Sequence, residues 1–154
     1  MRAVLNRFNL NHYLLKGCQQ KLSTLQKNIM NKILLVEDDY HLGIILNDQL
    51  EMNGYEVTLL RLPNKTVENL QEEEFDLVIM DKLLSGVDGT EICAQIRNTE
   101  GVSDVPVLMM SGYDGARAIC LAAGANEFIA KPFAVQPLLE TIESTIKKHK
   151  DLIK

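Results

Sequence analysis

A chain of 154 residues suits one domain, with at most a short tail, and is long enough to bury a core without disulfides or metals. Hydrophobic residues at 46% and charged residues at 24% are ordinary for a globular protein, and no apolar run approaches the ~20 residues that span a bilayer. The net charge of −5 hides a split. Residues 1–30 hold five basic side chains (Arg2, Arg7, Lys16, Lys21 and Lys27) and no acid, whereas residues 31–154 hold all 21 acids, which argues against direct DNA binding because phosphate contacts need Lys and Arg.

Cys18, Cys93 and Cys120 are scattered, with neither a disulfide framework nor metal-ligand spacing, so the expected compartment is the reducing cytoplasm. Composition shifts at "NIMNKILL", and three readings of residues 1–30 stand. They are an extension preceding an internal start at Met30, a short docking helix, or a basic targeting segment. The domain proper is expected over 31–150, with 151–154 as a tail.

From residue 32 the pattern alternates. "ILLV", 33–36, reads as a buried strand. Leu42, Ile45, Leu46 and Leu50 recur at helical spacing over 40–53, ending at Asn53-Gly54. "EVTLL", 56–60, is a strand with a more exposed pattern, followed by a polar helix over 64–73. "DLVIM", 76–80, is a fully apolar strand. A helix over 89–98 turns Ile92, Cys93 and Ile96 inward. "VPVLMM", 105–110, is another buried strand, then an Ala-rich helix, 114–123, stops at Gly124. "EFIA", 127–130, is the fifth strand, and Val135, Leu138, Leu139, Ile142 and Ile146 line the last helix.

Five βα units whose strands are apolar on both sides predict an α/β fold with a parallel sheet between helices. Right-handed crossovers favour the flavodoxin-like doubly wound order 2-1-3-4-5. Ligands of such sheets bind beyond the carboxyl ends of the strands, where strand order reverses. There the first strand ends in Glu37-Asp38-Asp39 and the third in Met80-Asp81. Such a cluster of hard oxygens suits a hydrated divalent cation, commonly Mg²⁺. The fourth strand runs into Ser111-Gly112 and the fifth into Lys131-Pro132. Acids, a hydroxyl, a lysine and a cation at one sheet edge form a constellation suited to phosphoryl transfer.

"ILLVEDD", "DLVIMDKLLSGVDG", "VPVLMMSG" and "GANEFIAKPF" stand in order over 32 to about 148, and in them the chain resembles the receiver domain of two-component response regulators. The resemblance implies that Asp81 accepts phosphoryl from a histidine kinase or phosphotransfer protein. It implies Mg²⁺ held by Glu37, Asp38, Asp81 and the Leu83 backbone carbonyl. Ser111 is the implied switch hydroxyl, Lys131 the lysine that pairs with the phosphoryl group, and Phe128 the aromatic switch. A cis peptide is expected at Lys131-Pro132. The loop departs from many relatives, which carry proline at the place of Ser85, and this bears on loop rigidity and dephosphorylation rate. Phe128 replaces a frequent tyrosine.

Plainer readings accompany these. Asp39 suits an N-cap. Cys93 and Cys120 suit core packing, and Phe128 also reads as a core aromatic. The function expected is a phosphorylation-activated switch of stand-alone type. It turns over no separate substrate, is monomeric or weakly dimeric, has no membrane segment and signals to an effector by protein contact. The alternatives are a small Mg²⁺-dependent aspartyl phosphatase, against which Leu83 replaces the second acid, and a structural partner domain that never sees phosphate.

Overall fold

The computed structural model describes residues 30–154, so the expectations for 1–29 lie outside the described residues. In chain order the main elements are β1 (Lys32–Val36), α1 (Tyr40–Met52), β2 (Glu56–Leu60), α2 (Thr66–Glu72) and β3 (Leu77–Asp81). They continue with α3 (Gly89–Arg97), β4 (Val107–Ser111), α4 (Ala116–Ala122), β5 (Glu127–Ala130) and α5 (Val135–Leu152). The strands form one sheet in the order β2-β1-β3-β4-β5, and every pairing is parallel. This is the order expected from the alternating pattern.

Successive strand side chains point to opposite faces, so each apolar strand feeds two cores. Leu34, Val36, Val78, Met80, Val107 and Met109 pack with Leu70 of α2, Ile92, Cys93 and Ile96 of α3, and Ala116 and Cys120 of α4. Ile33, Leu35, Leu77, Ile79, Leu108 and Met110 pack with Leu46 and Leu50 of α1 and Leu138, Leu139, Ile142 and Ile146 of α5. Each fully buried Leu or Ile contributes roughly 1.5–3 kcal/mol of transfer free energy. Strand β2 lies at the sheet edge and is half-buried from Val57 to Leu60, in keeping with its mixed pattern.

Several boundaries shift for local reasons. Strand β4 starts at Val107 rather than 105, since Pro106 has no N–H for the ladder and instead offers its carbonyl to the Val78 N–H at 2.9 Å. The predicted helix over 64–73 opens as a 3₁₀ turn, Pro63–Lys65, before α2. The helix expected over 114–123 is the shorter α4. Ile45 is 58% exposed, because Gly43, Leu46 and Leu50 form the buried line of α1. Val135 is also exposed, at the first residue of α5.

The chain between β3 and α3 is a tight antiparallel ribbon, pairing Leu83 with Asp88 and Leu84 with Val87. Its two-residue turn is Ser85-Gly86, with φ of +25° and +87°. Positive φ at both turn residues is the demand of a primed hairpin turn, whose twist matches that of its strands. Proline, fixed near −65°, has no place at Ser85 in this turn. Asp88 then caps α3 by accepting from the Thr90 N–H at 3.0 Å, and its carboxylate holds the buried Lys82 ammonium at 2.9 Å. Burial works against the Asp88 charge, but its bonds to Lys82 and Thr90 win and hold the carboxyl below its usual range.

Helix α3 thereby begins hard against the end of β3. The Gly89 N–H donates to the Lys82 carbonyl at 2.7 Å, and a Cβ on Gly89 would stand 2.3 Å from the Asp81 carbonyl oxygen. The Met109 Cε, at 3.1 Å, could yield, but the Asp81 backbone could not without a shift of the strand end. Gly89→Ala is expected to lower stability by about 1–3 kcal/mol, the range for overpacking, in a denaturant melt. An unchanged midpoint would contradict this close approach.

Candidate functional site

Glu37 follows β1 directly and is 1% exposed. Its neighbour Asp38 is half-buried, and Asp39 is exposed. Asp39 is the N-cap of α1, accepting from the Leu42 N–H at 2.8 Å. Asp81 is the last residue of β3 and is 8% exposed. By strand alternation Glu37 follows Ile33 and Leu35, Asp81 follows Leu77 and Ile79, and Lys131 follows Ile129. The three therefore emerge on the sheet face that packs against α1 and α5.

One open cleft is lined by Glu37, Asp38, Asp81, Leu83, Ser85 and Lys131, with Asp39, Tyr40 and Leu42 at its α1 side. The Lys131 ammonium binds Asp81 Oδ2 and lies 3.5 Å from Glu37 Oε2. Asp81 Oδ1 accepts from the Leu83 N–H at 2.9 Å. Asp38 Oδ2 accepts from the Ser85 hydroxyl. The Leu83 side chain itself points outward and is 65% exposed. Lys131 precedes a cis peptide to Pro132, as expected.

Burial pushes the Glu37 carboxyl above its usual range. The Asp39 N–H at 3.1 Å and the Lys131 ammonium pull it back, while the charges of Asp81 and Asp38 push it up again. Glu37 Oε2 is buried and has no hydrogen-bond donor. A buried carboxylate oxygen left this way costs free energy unless a cation or donor supplies what water would.

Ser111 and Phe128 lie elsewhere. Ser111 follows Val107 and Met109, on the face packed against α3 and α4. It is 2% exposed, and its hydroxyl accepts from the Tyr113 N–H at 3.1 Å. Phe128 is half-buried against that same core and registers with Met109, two residues before the Ser111–Ala130 pair and so on the same face. The two expected switch residues therefore share one face and the charged cluster the other, and Ser111 does not line the cleft.

Among the described residues, no three His, Cys, Asp or Glu side chains stand at metal-holding spacing. The Asp38 carboxylate is drawn to Ser85 and the Asp81 carboxylate to Lys131. The donor set nonetheless suits Mg²⁺. That ion keeps several waters and needs only one or two carboxylates, and here hard oxygens surround an orphaned buried one.

Three participants escaped the sequence reading. Ser85 was visible only as a missing proline, and the α3 glycine, Gly89, only as part of a motif. Arg61, just after β2, stacks over the Tyr40 ring 4.9 Å from its centroid, and its Nη2 donates to the Asp38 carbonyl at 3.4 Å. No local pattern announces that pairing.

Comparison with known proteins fits this geometry. The phosphate regulon transcriptional regulatory protein PhoB of Rhizobium meliloti (strain 1021) is 32% identical over 124 residues, 79% of this chain. The match spans about half of that protein, 55% of its length. Among solved structures, a putative response regulator from Chloroflexus aurantiacus superposes with a TM-score of 0.73 at 29% identity, covering 77% of this chain and 98% of that one. The receiver domain of sensor histidine kinase PA1611 from Pseudomonas aeruginosa PAO1 holds a magnesium ion in its active site cleft. It superposes at 0.71 with 31% identity, covering 77% of this chain and 98% of its own. The response regulator receiver domain model matches residues 33–143, and the chain belongs to that family.

Proposed function

We propose that Asp81 is the phosphoacceptor of this receiver domain, that Mg²⁺ assists it, and that a histidine kinase or phosphotransfer protein is the donor. The observation that carries this reading is the Lys131 ammonium shared by Asp81 and the buried Glu37. It is a fixed positive charge on a strand-end carboxylate that lines the open cleft. An Asp81 oxygen attacks the phosphorus of a phosphoimidazole. The P–N bond breaks with its electron pair going to the imidazole nitrogen, and an acyl phosphate forms on Asp81.

The Leu83 N–H orients the carboxylate before attack. Lys131, already in place, meets the charge of the incoming phosphoryl oxygens. Glu37 and Asp38 would hold the metal with Asp81, and the Leu83 carbonyl is the remaining protein donor we assign to it. Bound Mg²⁺ supplies positive charge against the phosphoryl oxygens, which lowers the barrier to in-line transfer.

Once phosphate arrives, the Ser111 hydroxyl must leave the Tyr113 N–H to reach it, and Phe128 on the same face then repacks. The output is a changed protein-contact surface rather than turnover of a separate substrate. Its expected reader is an effector protein in the cytoplasm, contacted by a monomeric or weakly dimeric domain. No helix among the described residues is long and apolar enough to cross a membrane.

Beryllofluoride with Mg²⁺ is expected to shift the amide resonances of Ser111, Tyr113 and Phe128 in the wild type and to leave Asp81→Asn unmoved. Equal shifts in both proteins, or none in the wild type, would contradict Asp81 as acceptor. A second prediction concerns Glu37. Its raised folded pKa means the folded state binds the proton more tightly than the unfolded one. Stability of the metal-free domain is therefore greatest below the unfolded carboxylate pKa and falls as pH rises through the folded one. Glu37→Gln is accordingly expected to melt higher than wild type at neutral pH without Mg²⁺, with the gap closing or reversing when Mg²⁺ is added. A lower melting point for Glu37→Gln in metal-free buffer would show that the buried charge is not the burden proposed.

A further inference from the structure

We infer that Ser85 is a positioning residue for the cation site, holding the Asp38 carboxylate over the cleft; this rests on the Mg²⁺ reading above. Asp38 leaves the end of β1, whereas Ser85 lies in the turn that follows β3. The hydroxyl-to-carboxylate bond spans 47 residues of sequence and ties together the two loops whose acids must serve one ion. It occupies only Oδ2 of Asp38, and Oδ1 remains available to a cation.

The backbone gives a second, independent reason. Ser85 is the one non-glycine residue with positive φ among the described residues, and it is followed by Gly86 in the same turn. A primed turn is best served by Asn-Gly or Gly-Gly, and serine at the first position is strained. A strained residue persists where its surroundings over-determine it, and the contact that accompanies the strain here is to a cleft carboxylate. The third strand's end is fixed on the other side by Gly89 against Asp81, so the turn has a firm base from which to reach. Partners of this kind orient metal-ligating carboxylates, and their loss typically weakens metal binding 10–100-fold.

The chain has no tryptophan, so Mg²⁺ binding is best followed by ¹H–¹⁵N spectra of the full chain during titration with MgCl₂. Ser85→Gly removes the hydroxyl and relieves the turn; Ser85→Asn tolerates positive φ and supplies an amide donor. The expected result is about tenfold weaker Mg²⁺ binding in Ser85→Gly, at the low end for such partners, with its melting point equal to or above wild type. Ser85→Asn should regain most of the affinity. Binding in Ser85→Gly equal to or tighter than wild type would overturn the inference while leaving the Mg²⁺ reading intact. Weak binding in both variants would overturn it too, since turn geometry would then outweigh the donor. A wild type that binds no Mg²⁺ would sink the underlying metal reading itself.

Discussion

The structure turns on a buried carboxylate beside a second one, with a single ammonium between them. Glu37 and Asp81 leave adjacent parallel strands on the same sheet face, and both are buried. Two negative charges in such a place repel, and desolvation raises the cost. Lys131 supplies the local cation, yet Glu37 Oε2 still lacks a hydrogen-bond donor. The site is thus under-neutralised, which is the physical ground for the cation proposed there. The phosphoryl transfer proposed at Asp81 would bring more negative charge to a site where Lys131 already stands.

The period-two geometry of the strands divides this chemistry in space. Residues of one parity bring Glu37, Asp81 and Lys131 to the α1 and α5 side; residues of the other bring Ser111 and Phe128 to the α3 and α4 side. Charge arrives on one face, and the groups proposed to report it lie on the other. The sheet edge between them is short, because Asp81 registers with Met110 and Ser111 follows at once. A local event at Asp81 therefore has a physical route to the opposite face without any hinge between domains.

Much of this was legible from residue patterns. Apolar strands alternating with helical spacing led to a parallel sheet, and the rule on ligands at strand ends led to Glu37, Asp38, Asp81, Ser111 and Lys131. The core cysteines and the Asp39 cap follow from helix faces and capping chemistry in the same way. What stayed hidden depended on three-dimensional approach. Ile45 looked like a core residue because helical spacing defines a face only to within one neighbour. The role of Gly89 comes from the Asp81 carbonyl pressing where a Cβ would be, and no periodicity encodes that. Ser85 drew notice for what it replaced, but its bond to Asp38 joins loops far apart in sequence.

The central claim is that Asp81 carries the phosphoryl group, and chemical trapping tests it most directly. The protein is incubated with acetyl phosphate and Mg²⁺, then reduced with borohydride, which converts an aspartyl phosphate to homoserine, and the peptides are sequenced by mass spectrometry. Homoserine is expected at position 81 alone, dependent on Mg²⁺ and greatly reduced in Lys131→Ala. Homoserine at Asp38 or another acid, or none anywhere under conditions that label a control receiver domain, would contradict it.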